Sequence, residues 1–422
     1  MTTSSPSGDH RLWAREAGAM AAAAGGDAGP LGPVEGQDDH AAPAVLRRFE
    51  LVQKLGHSPW GVTWRAVDKR SRRPVALKKL YGAFSSRRRA QMAYREVCYL
   101  ERLAGDDNIV QLQNVLLAEP AAPDATGATR QKAQDLYLVF ELWEADLFNA
   151  IRVGAIEPKH HGYIIAQVLA ALSRLHALGI VHRDVKPSNI LIDGSCRVKL
   201  CDLGHARSVV GTDAPVGNEN PAGSPMTDYL GSRWYRAPES LLGTTRLTTA
   251  ADIWAVGCVL GELLCGEPIL QGTDTTNQLQ LIVQITGLPS ASEIEEIAAP
   301  LAALQLDARV LGKQVPRAIS EVFRDATAEA LDFVRMCLNF SPSSRFTAAK
   351  ALKHPFVLEY FHECLELRNA GLRPEPLFLN DNIVHSVKEY RHVLIQNVVE
   401  REKHMQKLLS SNGRHSSAPF GV

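Results

Sequence analysis

The chain has no apolar run approaching the ~20 residues that a membrane-spanning helix requires, so membrane insertion is not expected. Its first residues carry no basic segment followed by an apolar one, and Thr2 rather than Gly follows Met1. Neither a secretory signal nor myristoylation is expected. Net charge is absent as well, since Lys+Arg and Asp+Glu each number 46 in 422 residues. Without an excess of either sign, bulk attraction to nucleic acid or to an anionic membrane is not the main business of the chain, and no nucleic-acid partner is expected. No two of the seven cysteines form a Cys-x-x-Cys pair. Their odd number and scatter fit reduced thiols of the cytoplasm or nucleus rather than a disulfide framework.

What is present is an ordinary globular composition, 45% hydrophobic and 22% charged, over a length that allows about two to three domains. Residues 1–45 are rich in Ala, Gly, Ser, Pro and Asp without periodicity, which predicts a disordered leader. From Phe49 short alternating runs (50–55, 61–67, 74–79) carry β-formers and are split by turn residues, as in an antiparallel sheet. A helix is predicted over 87–104 and two more strands over 109–117 and 136–141, with 119–134 as a surface loop insertion. Arg87-Arg88-Arg89 reads as a solvated cluster. Past Asp146 the helical period dominates, with candidates at 146–151, 160–179, 249–265, 275–286 and 327–338. A Gly/Pro/Asn/Ser-rich loop occupies 205–232. Val387, Tyr390, Leu394, Val398, Met405 and Leu409 form a stripe on a final helix, about 384–409, that is expected to dock on the body of the protein. The expected fold is α+β and bilobal. It has a small β-rich lobe (46–143), a larger helical lobe (144–356), an extension (357–410) and a disordered tail (411–422).

The most informative run is His182-Arg183-Asp184-Val185-Lys186-Pro187-Ser188-Asn189, with Asp202-Leu203-Gly204 starting 18 positions after Asp184. Phosphoryl transfer from a magnesium nucleotide to a hydroxyl needs a proton acceptor, a phosphate clamp and two metal ligands. Asp184 is the candidate acceptor or hydroxyl-orienting group, and Lys186 the group that neutralises the transferred phosphoryl. Asn189 and Asp202 offer oxygen to a hard cation.

The ordered set resembles the catalytic loop and metal-binding motif of eukaryotic protein kinases, and the resemblance implies ATP and Mg2+ as cofactors. Gly56-His57-Ser58-Pro59-Trp60-Gly61-Val62 resembles the kinase glycine-rich loop, so Gly56, Ser58, Gly61 and Val62 are candidate nucleotide contacts. Ser58 stands where the middle Gly is expected, and Pro59 removes one N–H donor. In Val75-Ala76-Leu77-Lys78, Ala76 is a further contact and Lys78 the residue that grips the α- and β-phosphates. Glu96 is its expected ion-pair partner, which makes helix placement a switch. Phe140 is expected behind the adenine. Glu141 to Trp143 should connect the lobes and offer backbone hydrogen bonds to the base, with Trp143 narrowing the mouth.

Thr227-Asp228-Tyr229 followed by Gly231 to Glu239 resembles the activation lip and P+1 loop of mitogen-activated protein kinases, and the likeness extends to the atypical extracellular signal-regulated kinases over roughly 46–410. The family implies phosphorylation of Thr227 and Tyr229, by an upstream mitogen-activated protein kinase kinase or by the protein itself. Arg95, Arg183 and Arg207 would receive the first phosphate, and Arg233 and Arg236 the second. It implies protein substrates with Ser or Thr followed by Pro, an activation segment over 202–239, an insert over about 266–325, and a monomer. The expected location is cytoplasmic, with the nucleus and the ciliary or flagellar base as alternatives. Asp252 should brace the catalytic loop and Glu239 should pair with Arg345. Departures are Leu203 for the usual Phe, His205 beside the metal motif, and a thin acidic docking patch of Glu359, Glu363 and Glu366. Cys201 is expected to be a buried, inert thiol. The alternative function is a catalytically weak scaffold that binds partners through the same fold.

Overall fold

The computed structural model describes residues 40–118, 135–209, 230–244, 246–297, 317–361 and 385–412. Leader residues 1–39, the insertion 119–134, lip residues Thr227 and Tyr229, docking residues Glu363 and Glu366 and the tail from 413 lie outside the described residues. The described chain forms two compact units, one of 40–105, 110–118, 135–142 and 385–412, the other of 106–109 and 143–361.

The first unit is built on an antiparallel sheet in the order β1-β2-β3-β5-β4. Its strands are β1 (Phe49–Ser58), β2 (Gly61–Asp68), β3 (Pro74–Leu80), β4 (Leu112–Leu117) and β5 (Leu136–Glu141). Period-two alternation sends Val62, Trp64, Ala66, Val75, Leu77, Tyr137 and Val139 to one buried face. Residues 40–45, expected as leader, are built into this unit. A six-residue helix, α1 (Pro43–Arg48), buries Val45 in that core, Ala42 N–H donates to Tyr137 Oη (2.9 Å), and Lys79 Nζ donates to the His40 carbonyl (2.8 Å). A helix this short gains its stability from tertiary burial rather than propensity, so its Ala/Pro-rich sequence looks like the leader before it. α2 (Arg87–Arg102) starts at Ser86, whose hydroxyl accepts from Arg89 N–H (3.3 Å). The helix Val387–Asn412 packs on α2 and β4, as its stripe predicts. Tyr390 and Leu394 are buried, Tyr94 and Tyr390 rings lie 5.3 Å apart, and Asn397 Nδ2 donates to Glu101 Oε2 (2.7 Å).

The second unit is mainly helical. β6 (Ala145–Asp146) leads into α3 (Leu147–Arg152), which the Asp146 carboxylate caps. α4 (His161–Ala177) and α5 (Ala250–Cys265) are buried on almost every side, as central helices of a core are. Strands β7 (Ile180–Val181), β8 (Ile190–Ile192), β9 (Val198–Leu200) and β10 (Arg207–Ser208) lie in the chain between those two helices. α6 (Thr275–Thr286) and α7 (Ala328–Cys337) follow, and α7 packs on α5. Among the described residues no helix is long and apolar enough to cross a membrane.

Candidate active site

Directly opposed residues of an antiparallel pair share a face. β1 sets Gly56 opposite Thr63 and Ser58 opposite Gly61; β2 sets Thr63 opposite Lys78; β5 sets Phe140 opposite Ala76. Gly56, Ser58, Gly61, Thr63, Ala76, Lys78 and Phe140 therefore occupy one face of the sheet. Val62 does not join them. It opposes Lys79, is fully buried in the core, and leaves its place on the nucleotide-candidate face to Thr63. The same alternation separates two adjacent lysines. Lys79 turns into the core side, where Asp135 holds it (3.2 Å), while Lys78 Nζ meets Glu96 Oε1 of α2 at 2.7 Å. β3 runs on to Leu80, so Lys78 sits within the strand. Glu141 N–H donates to the Gln111 carbonyl (3.3 Å) and its carboxylate accepts from Gln111 N–H (2.9 Å), which fixes the end of β5 to the residue before β4. Trp143, in the second unit, is half-buried with Lys199 Nζ 5.7 Å from its ring centroid.

In the second unit the run 182–189 is fixed from beneath. The Asp252 carboxylate, in the first turn of α5, accepts from His182 N–H (2.9 Å), Arg183 N–H (2.8 Å) and His176 Nε2 (2.9 Å). Burial alone would raise this carboxyl, but the bonds from His176 and the loop outweigh it and hold it below the ordinary carboxylate range. Asp184 N–H donates to His182 Nδ1 (3.3 Å), so the ring proton is on Nε2, which donates to the Cys201 carbonyl (3.0 Å). Arg183 (φ 71°) and Asp202 (φ 64°) are both left-handed, a conformation that costs a non-glycine residue about 1–3 kcal/mol and persists where the surroundings enforce it.

Three predicted side chains meet on this loop. Asp184 Oδ2 accepts from Lys186 Nζ (2.7 Å) and from Asn189 Nδ2 (2.9 Å), and Asn189 Nδ2 also donates to the Asp184 carbonyl (2.8 Å). Two donations fix the Asn189 amide and turn Oδ1 to the other side. The β8–β9 hairpin then brings the fourth residue close. Asn189 precedes β8, Asp202 lies two residues beyond β9, and Cys201 N–H donates to the Asn189 carbonyl (2.9 Å), so both expected metal ligands stand at one end of the hairpin. Among the described residues no group of three or more His, Cys, Asp or Glu forms a cation cage. One carboxylate and one amide oxygen nevertheless fit Mg2+, which keeps several waters and takes substrate phosphates as its other ligands. His205 beside this end is half-buried, and desolvation lowers its pKa against the opposing pull of Asp184 and Asp202. Cys201 is half-buried rather than buried.

Residues 49–357 match the protein kinase domain family. Over 363 residues the chain is 39% identical to extracellular signal-regulated kinase 2 of Dictyostelium discoideum, a match covering 86% of this chain and 93% of that protein. The chain belongs to the mitogen-activated branch of the serine/threonine protein kinases. It is also 38% identical over 373 residues to mitogen-activated protein kinase 15 of Xenopus laevis, covering 88% of this chain and 59% of that one. With extracellular signal-regulated kinase 7 of Drosophila melanogaster it shares 32% identity over 373 residues, 87% of this chain and 38% of the fly protein.

The kinase's five candidate phosphate-receiving arginines are placed unequally. Arg95 is buried on α2 in the first unit. In the second, β10 pairs with β7 so that Arg207 opposes Val181, two residues before Arg183, whose Nη1 donates to the His205 carbonyl (3.4 Å). Arg233 is buried and donates to the Thr273 carbonyl (2.8 Å), and Arg236 is half-buried just beyond it. The intervening Tyr235 Oη donates to Glu262 Oε2 of α5 (2.5 Å). Burial pushes the Glu262 carboxyl up to about 7 from its ordinary 4.5, although the Tyr235 bond pulls the other way. A raised carboxyl contributes stability at low pH that is lost as pH climbs from 4.5 toward 7. Glu262→Gln keeps an acceptor for Tyr235 and cannot ionise. Urea unfolding should show it gaining roughly 2–3 kcal/mol on the parent between pH 5 and pH 8, whereas parallel pH profiles would contradict the raised carboxyl.

Four contributors were not legible beforehand: His176 beneath the loop, Thr63 on the sheet face, Ser232, whose Oγ accepts from Lys186 Nζ (2.9 Å), and Gln167. Gln167 of α4 braces the β8–β9 turn through the Cys196 carbonyl (2.8 Å) and Val198 N–H (2.9 Å). Strict alternation from Lys78 could have found Thr63. Nothing local in the sequence marks the other three.

Proposed function

We propose that this kinase transfers the γ-phosphoryl group of Mg-ATP to Ser or Thr followed by Pro, and that phosphate on Thr227 and Tyr229 raises its rate. The observation that carries the reading is the grouping of Asp184, Lys186 and Asn189 within 2.9 Å of one another's polar atoms, with Asp202 at the same hairpin end. Lys78, held by Glu96, is suited to grip the α- and β-phosphates. Asn189 Oδ1 and the Asp202 carboxylate would hold Mg2+, which when bound neutralises charge on the phosphoryl oxygens. Asp184 orients the substrate hydroxyl and accepts its proton. Lys186 already holds a hydroxyl oxygen, that of Ser232, while bonded to Asp184, the posture needed to steady a transferred group. The intact Lys78–Glu96 pair supports activity over the scaffold alternative.

Phosphate on the lip adds nearly two negative charges per site, for which Arg183, Arg207 and Arg95 are candidate acceptors. The test is transfer to paired Ser-Pro and Ser-Ala peptides by protein carrying both, one or neither phosphate. A preference for Ser-Pro and activation by dual phosphorylation, each of about tenfold or more, are expected. Equal rates on the two peptides would end the Pro-directed reading, and equal rates before and after phosphorylation would end the switch.

A further inference from the structure

The tip of the β1–β2 hairpin is closed by two residues, Pro59 and Trp60, and is tied from three sides. From inside, Ser58 Oγ accepts from Trp60 N–H (3.2 Å) and donates to the Gly61 carbonyl (3.3 Å). From the end of β3, the next residue's N–H, that of Tyr81, donates to the Trp60 carbonyl (2.9 Å), and a Cβ on Gly61 would run into the Lys79 carbonyl oxygen. From α2, the Arg88 and Arg89 guanidinium carbons lie 5.5 and 4.9 Å from the Trp60 ring centroid. Arg89 also donates through Nη1 to the Tyr81 carbonyl (2.7 Å) and through Nη2 to the Pro59 carbonyl (3.5 Å). The cluster Arg87-Arg88-Arg89, expected to be merely solvated, thus spends two of its three cations on this tip.

We propose that Arg89 is a positioning residue for the nucleotide, pinning the hairpin tip to the first turn of α2 so that the face bearing Gly56, Ser58, Gly61 and Lys78 is preformed. Ser58 and Pro59 remove the freedom and one of the N–H donors that a glycine-rich tip would offer. A pinned hairpin compensates, because it loses little conformational entropy when a nucleotide binds. The same helix carries Glu96, so one movement of α2 displaces both the hairpin and the Lys78 ion pair. This rests on the reading that the sheet face binds the nucleotide.

The test measures Mg-ADP affinity by calorimetry and steady-state ATP kinetics on the full chain. Arg89→Ala should raise the Mg-ADP Kd and the ATP KM about 3- to 10-fold, the yield of one net hydrogen bond and one partly exposed cation–π contact, with kcat within about twofold. Arg89→Lys, which keeps a cation over the ring and one bond to the Tyr81 carbonyl, should recover part of the loss. Amide exchange at Tyr81 should quicken in Arg89→Ala. An unchanged Kd in folded Arg89→Ala, or a fall in kcat with Kd unchanged, overturns the proposal. Should that variant melt below the assay temperature, Trp60→Leu replaces it, with the same rise in Kd expected and an unchanged Kd again overturning it. A parent protein without Asp202-dependent transfer overturns the kinase reading itself. Normal parental transfer with an unaltered Arg89→Ala Kd overturns only this inference.

Discussion

Arg345→Ala should lose about 3–5 kcal/mol of folding stability, the usual cost of stripping one partner from a buried ion pair. Arg345 meets Glu239 through two parallel bonds, Nη1 to Oε1 (2.7 Å) and Nη2 to Oε2 (2.8 Å), with side-chain exposures of 0% and 5%. It also donates to the carbonyls of Asn339 (2.8 Å), Ala250 (3.0 Å) and Phe340 (3.0 Å), and its guanidinium lies 5.1 Å from the Trp254 ring centroid. Its loss strands a carboxylate and takes a donor from three carbonyls in the buried core. Glu239 closes the expected activation segment, 202–239, and lies on the short helix Pro238–Leu241, so phosphate transfer should fall with stability. Denaturant titration of Arg345→Ala, Glu239→Ala and the double variant separates the contributions. The double variant should be less destabilised than the sum of the singles, because no unpaired charge remains. A loss under about 1 kcal/mol for Arg345→Ala would contradict the pair's structural weight.

Asp202→Ala should reduce kcat by about a thousandfold or more, equivalent to about 4 kcal/mol of barrier, because it removes the one carboxylate of the two-oxygen donor set, Asn189 Oδ1 and Asp202, proposed for the magnesium. Its effect on folding should be small by comparison. Asp202 sits at φ 64°, where Asp and Asn are tolerated better than Ala. Asp202→Asn therefore separates chemistry from strain: it should keep parental stability and still lose transfer, since the amide retains the turn but not the charge.

Much of the fold was legible because its periods are clean. Alternation in β2 and β3 marked the sheet, and the apolar stripe around Tyr390 and Leu394 marked a docked final helix. α4, α5, α6 and α7 begin and end within a few residues of their expected limits. Residues 40–45 were missed because burial under Tyr137, not local propensity, orders them. The loop group Asp184, Lys186 and Asn189 was legible because its members are close in sequence. The support under it was only half legible: Asp252 was expected, but His176 reaches the same carboxylate from the end of α4, 76 residues away in the chain. Val62 was chosen from a motif, whereas the strand register assigns that face to Thr63. Arg88 and Arg89 looked solvated because nothing local connects them to Trp60, 28 and 29 positions earlier.

On the proposed function, Asp184, Asn189 and Asp202 serve magnesium-dependent phosphoryl transfer in a working kinase. The direct measurement is Mg-ATP-dependent phosphate incorporation into a Ser-Pro peptide by the purified full chain, run beside Asp202→Ala at equal concentration. Incorporation by the parent and its near-complete loss in the variant is the predicted result. Equal incorporation by both proteins would contradict it.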